Sequence, residues 1–502
     1  MMEPLYVCVH VPEFPAQARM RLRAELHADP VVILAGDPPL EQVYSCNSHA
    51  ARLGVTHGMT RAELDAFAGL CMLRRSEPEE KVARDALMEA AGTFTPRIEV
   101  QPPPSPSAFV MVLDMAGTSL IFGNTAQMVD SMLRALKALH FYPQCAASAN
   151  LLAAVCAAAS ARRGPVVLPA GKEKDHLGKL PLHALHLTQQ QADTLSLWGL
   201  HTLAELAAIP EVDLVVRLGQ AGKRLRLLAC GEHPHLMVPE DAVFALDEFI
   251  AFEAPVEILD SLLFVLGPML DQLLTRAQNR SLALASVTVR LSLDGGGEHE
   301  RTITPALPVM QRHILLKLMH LDLQAHPPSA GVMNIALHAE PGDRSKVQLG
   351  LFSPQLPEPS RLDVTLARIA SLVGEERVGK AKLLDSYRSD SFTMERFLVP
   401  SKPAPRRHAP RSIASLRRCR PPVPLAVRHQ DARLSSFSLE GKTYRVNEAY
   451  GPWRKSGEWW SAGVWSQEEW DVSASLSEEV VLLCVLTHDL LRKQWHLEAL
   501  YD

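Results

Sequence analysis

The sequence lacks the features that mark several classes of protein. Its 8 cysteines are scattered without a Cys-x-x-Cys pair, which argues against zinc ribbons and against a disulfide framework. It has no apolar run of about 18 residues and no basic segment before its first short apolar stretch, so neither a membrane span nor a signal peptide is expected. No internal repeat is evident. These absences predict a cytoplasmic protein with reduced cysteines.

A strong excess of one charge is also lacking, since the formal net charge at pH 7 is -5. Composition therefore gives no sign of nucleic-acid binding, and any DNA contact has to come from local basic patches or backbone amides. What the sequence does have is length and apolar content. Its 502 residues, 47% of them hydrophobic, are enough for about three to five compact units.

Strands and helices are predicted to alternate near the N-terminus. Apolar runs rich in β-branched residues predict buried strands at 5–11, 31–34 and 109–115. Helical spacing of apolar residues follows at 126–139 and 151–161. Such alternation is typical of an α/β layer.

A helical pattern follows over residues 180–231. It is broken at Gly199, Pro210, Gly219 and Gly222, which is the spacing of helix-hairpin-helix units.

Residues 245–340 return to β character. The segment 287–293 alternates apolar and polar residues before a glycine turn at 295–297, and a helix is predicted at 310–323. Apolar residues at helical spacing over 362–373 predict an amphipathic helix whose apolar face is available to a partner.

The last hundred residues differ in composition from the rest. The segment 400–433 carries seven prolines and nine Lys or Arg against a single acid, Asp431, and is predicted to be an extended basic linker. Six of the 7 tryptophans fall between Trp453 and Trp495, which predicts a separate small domain. These tryptophans either form its core or stay exposed, to stack on single-stranded bases or to anchor a protein partner.

Motifs that follow one another in order resemble the Y family of translesion DNA polymerases (DinB/UmuC type). Residues 47–59 (NSHAARLGVTHGM) resemble the fingers motif, and 113–117 (LDMAG) resemble the end of a palm strand. Residues 149–165 resemble the palm helix and its exit, and 198–206 (WGLHTLAEL) resemble the thumb hairpin that presents backbone amides to phosphate. The resemblance covers about residues 5–350 and implies an α+β right-hand architecture of palm, fingers, helix-hairpin-helix thumb and β-rich little finger.

The metal-binding positions of this family are altered. Nucleotide transfer needs two divalent cations held by carboxylates at the ends of adjacent palm strands. Alignment with the family places His10 at the first carboxylate and Phe109 and Val110 at the paired acids, with Ser107 at the family's serine. Histidine is a poor magnesium ligand, and the other two residues have no donor atom. This pattern of losses resembles the ImuB branch of the family and implies neither catalysis nor a cofactor.

Contacts to the incoming nucleotide are replaced as well. The family's tyrosine and arginine in the fingers correspond to Ser48 and Ala51, and two lysines of the palm helix correspond to Leu151 and Val155. Because phosphoryl transfer depends mainly on electrostatic stabilisation, we expect the palm to serve as a scaffold.

An alternative hypothesis is that the protein is an active enzyme. Glu13 and Asp114 are the nearest surviving acids, and an active polymerase with a rearranged Mg2+ site would use them. Asp114 lies four residues beyond Val110, which is roughly 13 Å along a strand at about 3.3 Å per residue. A structural role is therefore expected for Asp114.

Residues Gln348-Leu349-Gly350-Leu351-Phe352 resemble the pentapeptide by which bacterial polymerases bind the sliding clamp. Leu351 and Phe352 would fill an apolar pocket while Gln348 forms a hydrogen bond at its rim, so that a few residues provide most of the affinity. The alternative is a final edge strand of the β region.

Candidate DNA contacts are few. In the thumb they are Gly199 and the cations Lys223 and Arg224, for which a solvated helix face is the alternative. Arg290 lies on the polar face of its strand, where the family's little finger faces DNA.

The motifs and the changes of composition together predict the domain boundaries. These are palm at 1–30 and 74–165, fingers at 31–73, thumb at 166–240, little finger at 241–347, clamp-binding motif and amphipathic helix at 348–399, basic Pro-rich linker at 400–433, and small Trp-rich domain at 434–502.

The missing carboxylates favour a non-enzymatic hub that binds DNA and the sliding clamp during error-prone translesion synthesis in the SOS response. The resemblance to ImuB-like systems implies two further partners, a RecA-like protein of the ImuA type and an error-prone C-family DNA polymerase that performs synthesis. A third hypothesis is a protein-interaction scaffold without DNA affinity, which the net charge of -5 allows.

Overall fold

Strands and helices alternate in the first third of the chain. The strands and helices predicted there are confirmed, with ends that differ by at most two residues. In chain order the elements are β1 (Tyr6–Val11), α1 (Phe14–Met20), β2 (Val31–Ala35), β3 (Gln42–Cys46), α2 (Ser48–Arg52), α3 (Arg61–Leu64), β4 (Cys71–Arg74), α4 (Glu77–Gly92), β5 (Ile98–Gln101), β6 (Phe109–Asp114), α5 (Ser119–Phe122), α6 (Thr125–Ala138), β7 (Gln144–Ser148), α7 (Leu151–Ala159) and β8 (Val166–Val167).

This computed structural model divides the chain into two compact units, residues 1–372 and 373–502. It has mixed α and β structure, which confirms the predicted α+β class. The residues it describes are 3–103, 105–161, 164–185, 187–305, 307–343, 359–386, 391–395, 415–431, 433–460, 463–477 and 480–501. Within these ranges no helix is both long and apolar enough to cross a bilayer.

The first sheet has the strand order β5-β6-β1-β7-β8, with β1 antiparallel to both of its neighbours. Alternate residues of β1 point to opposite faces, and both faces are covered. Val7, Val9 and Val11 join a core with residues of α1, α4 and α6, whereas Cys8 joins a core with α7. Burial on both sides explains why β1 is almost continuously apolar. A small sheet of order β3-β2-β4 lies beside it in the chain.

A helical segment follows, as predicted for residues 180–231. Its helices are α8 (Glu173–Leu177), α9 (Gln189–Leu197), α10 (Leu203–Ala208), α11 (Glu211–Leu218) and α12 (Gln220–Cys230). The break predicted at Gly222 is wrong, because this residue lies inside α12. A Cβ there would be 2.5 Å from the carbonyl oxygen of Leu214, so glycine permits the close approach of α11 and α12 rather than ending a helix.

The next elements form a four-stranded sheet of order β11-β10-β12-β9. They are β9 (Leu246–Val256), α13 (Leu259–Asn279), β10 (Leu282–Leu293), β11 (Glu298–Ile303), α14 (Arg312–Ala325) and β12 (Val332–Asp343), followed by α15 (Pro359–Val373). The predicted helices at 310–323 and 362–373 are confirmed. Val364 and Ala367 of α15 pack against the core of this sheet, whereas Leu372 is 84% exposed.

The second unit contains the hairpin β13 (Lys380–Leu383) and β14 (Phe392–Glu395) and a closed barrel. The barrel strands are β15 (Leu416–Gln430), β16 (Arg433–Leu439), β17 (Lys442–Gly457), β18 (Trp465–Ser475), β19 (Val481–Asp489) and β20 (Gln494–Tyr501). The prediction of an extended linker over 400–433 is therefore wrong for 416–430. Pro421 and Pro422 fall in a register shift between Arg418 and Val423, where their missing N–H groups do not interrupt the ladder with β20.

Candidate functional site

The aligned metal positions of the Y family lie on two paired strands of the first sheet. His10 of β1 pairs with Val110 of β6, and Val11 pairs with Phe109. His10 is 6% exposed, and its Nδ1 lies 3.0 Å from Oε1 of Gln144 on β7. Val110 and Phe109 are buried in the apolar cores on opposite faces of the sheet. These residues do not fit a pair of divalent cations, which require oxygen ligands on one face.

Glu13 lies just beyond β1, at the start of α1. Its backbone has a φ of 48°, an uncommon conformation for a residue with a side chain. The carboxylate accepts hydrogen bonds from Ser45 Oγ at 2.7 Å and from the Cys46 amide at 3.1 Å, and it lies 3.0 Å from His57 Nε2. Ser107 Oγ is 3.4 Å away. Glu13 therefore joins the first sheet to β3 and to the turn predicted as the fingers motif.

Burial, with a smaller contribution from the nearby Glu13 carboxylate, raises the pKa of the Cys46 thiol to about 11. Cys46 is thus a protonated, unreactive side chain at neutral pH.

Asp114 occupies the other end of the first sheet. It pairs with Tyr6, four residue pairs away from the His10–Val110 pair. Its carboxylate accepts a hydrogen bond from the Ala116 amide at 3.0 Å and lies 2.8 Å from Nη1 of Arg97. Glu13 and Asp114 are therefore not brought together. Among the described residues, no group of three or more His, Cys, Asp and Glu side chains is arranged to hold a metal ion.

The positions aligned with nucleotide contacts have no cationic side chain. Ser48 and Ala51 lie on the exposed side of the short helix α2, which Asn47 caps by accepting a hydrogen bond from the Ala50 amide. Leu151 and Val155 of α7 are 3% and 6% exposed, respectively, in a core shared with α8 to α12. Leu151 and Val155 therefore pack against these helices.

The candidate DNA contacts lie on separate elements. Gly199, with a φ of 71°, follows α9 at an open turn. On α12, Arg224 is exposed, and Nζ of Lys223 lies 3.0 Å from a carboxylate oxygen of Glu211. Arg290 lies on the four-stranded sheet with its Nε 2.8 Å from Glu300. Two of the three predicted cations are thus paired with glutamates at exposed positions.

The predicted clamp motif Gln348, Leu349, Leu351 and Phe352 lies outside the described residues, between β12 and α15.

The tryptophans of the barrel divide between the two predicted roles. Trp470 and Trp495 pack against the barrel core, as the core interpretation predicts. Trp459 and Trp460, at the tip of the β17–β18 hairpin, are 80% and 72% exposed, and Trp453 is 46% exposed. No local pattern in the sequence separates the two groups, because the distinction depends on which residues the closed barrel encloses.

Comparison with known proteins agrees with the motifs. Residues 9–159, which include most of the first sheet and the contacts of Glu13, match the impB/mucB/samB family. The match covers less than a third of the chain. The chain is also similar to Protein ImuB of Caulobacter vibrioides (strain NA1000 / CB15N), with 26% identity over 411 residues that cover 77% of this chain and 84% of that protein. The predicted resemblance to ImuB-like proteins is confirmed.

Solved structures similar to this chain include a Dbh ternary complex, at 16% identity and a TM-score of 0.40, which covers 68% of this chain and 100% of that chain. They also include DinB from Sulfolobus solfataricus, at 15% identity and a TM-score of 0.41, which covers 67% of this chain and 98% of that one.

Proposed function

We propose that this chain is a catalytically inactive relative of the Y-family polymerases that serves as a DNA-binding and sliding-clamp-binding hub in error-prone translesion synthesis. The observation that carries the proposal is the replacement of the metal-binding acids by His10, Phe109 and Val110. Two of these side chains are buried in apolar cores, where a carboxylate would be costly and a hydrated cation has no access.

The geometry of the surviving acids supports the same proposal. The Glu13 carboxylate accepts hydrogen bonds from Ser45 and Cys46 of β3, and Asp114 binds Arg97 at the other end of the first sheet. A rearranged Mg2+ site that uses both would require one of them to move along the length of β1.

The hub role is proposed from the motifs outside the first sheet. Residues 348–352 would bind the clamp, and Gly199, Lys223, Arg224 and Arg290 would contact DNA. The predicted boundaries of the palm, fingers, thumb and little finger also belong to this proposal. A RecA-like ImuA-type protein and an error-prone C-family polymerase are the proposed protein partners, and the similarity to Protein ImuB supports them.

Primer extension tests the catalytic part. Purified protein of residues 1–502, with Mg2+ or Mn2+, is expected to add no nucleotide to a primed template on which an active Y-family polymerase works. The matched variants are Asp114→Ala and Asp130→Ala, an exposed acid on α6. Extension that Asp114→Ala abolishes and Asp130→Ala preserves would establish the rearranged metal site and overturn the proposal.

Clamp binding tests the hub part. The double variant Leu351→Ala/Phe352→Ala is expected to lower the affinity for the sliding clamp at least tenfold, because the two side chains are the anchors of the motif. The control is Gln355→Ala/Leu356→Ala, a second Gln-Leu pair nearby that no Leu-Phe follows. Equal binding by wild type and both variants, measured by surface plasmon resonance, would contradict the assignment of the motif.

A further inference from the structure

The barrel of the second unit has its charges separated between two halves. Residues 416–446, which form β15, β16 and the first part of β17, carry seven Lys or Arg against two acids, Asp431 and Glu440. Residues 447–501, which complete β17 and form β18 to β20, carry four Lys or Arg against nine acids. With histidine neutral, the two halves have net charges of +5 and -5. A basic surface on the barrel is therefore compatible with a chain of negative net charge.

Two arginines lie side by side on the outer face of the basic half. Val427 of β15 and Phe437 of β16 pack in the barrel core, so the residues next to them in each strand point outward. Arg428 pairs with Ser436 of β16, which in turn pairs with Arg445 of β17. Both arginines are exposed. They lie two strand spacings apart, which is roughly 10 Å.

The next row of this face carries hydroxyl groups. Ser438 of β16 pairs with Thr443 of β17, and their hydroxyl oxygens lie 3.4 Å apart. Arg433, at the start of β16, is also exposed. Strands β15 and β16 contain no acidic residue, and the two acids of this half lie in the turns at the ends of the strands. Because guanidinium and hydroxyl groups both donate hydrogen bonds to phosphate oxygens, the face suits a polyanion.

The arginines of this row are not neutralised by neighbouring acids. Arg428 and Arg445 form no ion pair with any residue that the structure describes. On the acidic half, by contrast, Arg454 Nε lies 2.8 Å from a carboxylate oxygen of Glu468. The like charges of the basic face repel each other, and an anionic ligand would remove that repulsion.

Exposed aromatic side chains follow the basic row along β17. Tyr450 and Trp453 are 61% and 46% exposed, and Trp459 and Trp460 lie at the tip of the β17–β18 hairpin with their ring centroids 5.5 Å apart. Bases can stack on such rings when their own faces are free, as in a single strand. A basic surface combined with exposed aromatic rings is typical of proteins that bind single-stranded nucleic acid.

Acids on β18 limit the basic face on one side. Glu469 pairs with Trp453, and together with Asp471 it lines a depression on the outer surface of the barrel. These carboxylates repel phosphate. A bound strand would therefore lie over β15, β16 and β17 rather than over β18.

We propose that the face of Arg428, Arg433 and Arg445 binds the phosphate backbone of single-stranded DNA, and that Trp459 and Trp460 stack on its bases. The site rests on the proposed DNA-binding role and adds to it the form of DNA that is bound. It is separate from the predicted contacts of the first unit.

Fluorescence anisotropy of a labelled oligonucleotide of about 30 deoxythymidines, over a NaCl series, tests the cationic part. In protein of residues 1–502, Arg428→Gln/Arg445→Gln is expected to weaken binding about tenfold or more at low salt. The slope of log K against log salt should fall in magnitude by about 1.4, because each lost contact to a single strand removes roughly 0.7. An unchanged slope would overturn the site.

The matched control for charge is Arg492→Gln/Lys493→Gln. It removes two exposed cations from the turn between β19 and β20, on the acidic half of the barrel. Affinity and salt slope are expected to stay at their wild-type values. A loss as large as that of Arg428→Gln/Arg445→Gln would show a general effect of net charge and no localised site.

The stacking part is tested by Trp459→Ala/Trp460→Ala. Binding of the oligonucleotide is expected to weaken about tenfold or more with little change in the salt slope, because stacking involves no ion pair. The control is Tyr142→Ala, which removes an exposed aromatic side chain of the first unit and should leave binding unchanged. Wild-type affinity in the tryptophan variant would contradict the stacking role.

The variant Lys223→Ala/Arg224→Ala separates this site from the proposed function. If it loses the oligonucleotide while Arg428→Gln/Arg445→Gln keeps it, DNA binding lies outside the barrel and the proposed site is wrong, although the DNA-binding role stands. If only the barrel variant loses the oligonucleotide, the site stands even where the contacts predicted for the first unit fail.

Two competitors identify the occupant. Duplex DNA of the same length should displace the labelled oligonucleotide at least tenfold less well than unlabelled single strand, since its base faces are covered. Equal competition would contradict the single-strand assignment. Polyglutamate should compete poorly, and displacement as effective as that by single-stranded DNA would assign the face to an acidic protein segment instead.

Discussion

At the scale of single residues, Lys223 and Arg224 provide the sharpest test of DNA binding. If both contact phosphate, Lys223→Ala/Arg224→Ala should weaken binding to primer-template DNA of any sequence. The slope of log K against log salt should fall in magnitude by about two, because each lost phosphate contact removes roughly 0.9. Fluorescence anisotropy over a NaCl series measures both quantities.

Two matched variants control that measurement. Lys81→Ala removes an exposed cation from α4 and should leave the salt slope unchanged. Glu211→Gln frees Lys223 from its carboxylate partner and should strengthen binding. If the Lys223→Ala/Arg224→Ala variant keeps the salt slope of the wild type, neither cation contacts DNA and both lie on a solvated helix face.

At the scale of elements, a charged pair links β12 to β9. His338 and Asp247 are register partners, with Nδ1 and Oδ1 2.6 Å apart. The hydrogen bond to Asp247, followed by a second to Glu340, raises the pKa of His338 above its ordinary value of 6.5. A raised folded-state pKa gives stability that is full below about pH 6.5 and is lost as the pH rises through the folded-state value.

His338→Ala should therefore lower the free energy of unfolding at pH 6 by a few tenths of a kcal/mol, since the side chain is half exposed and solvent screens the pair. At pH 9 the difference from wild type should vanish. Urea unfolding at the two pH values measures it, and Asp247→Asn should show the same pH dependence. A loss as large at pH 9 as at pH 6 would mean that packing, and not charge, accounts for the effect.

At the scale of the whole molecule, the two compact units predict two unfolding transitions. Phe437 is 1% exposed in the barrel core and stacks on Tyr444, with ring centroids 5.3 Å apart. Phe437→Ala should destabilise the barrel by about 3–5 kcal/mol, because it leaves a cavity. The transition of residues 1–372 should not move.

Tryptophan fluorescence separates the two transitions, because six of the 7 tryptophans lie in the barrel sequence. Circular dichroism reports both units. The reciprocal control is Phe14→Ala, in the core of the first sheet, which should shift only the transition of residues 1–372. A single transition that both variants shift equally would show that the units unfold together.

Local patterns explain which predictions of the fold are confirmed. The segments of β1 and β6 are almost continuously apolar, and such short runs predict strands that are buried on both faces of a sheet. The predictions of a helix break at Gly222 and of a linker over β15 were wrong because both depend on contacts between elements. A glycine in contact with Leu214 and prolines in a register shift depend on neighbours from other elements, which a local pattern does not contain.

The sequence by itself determined the order of the motifs that resemble the Y family, the side-chain types at His10, Phe109 and Val110, and the class of most elements. These properties are set by side-chain chemistry and by spacing along the chain. Only the tertiary structure decided that Glu13 joins the first sheet to the fingers-like turn and that Arg21 meets Glu248. Glu13 and Ser45 are 32 residues apart, and Arg21 and Glu248 are 227 residues apart. Such partners are brought together by the packing of whole sheets and helices, and no local spacing specifies them.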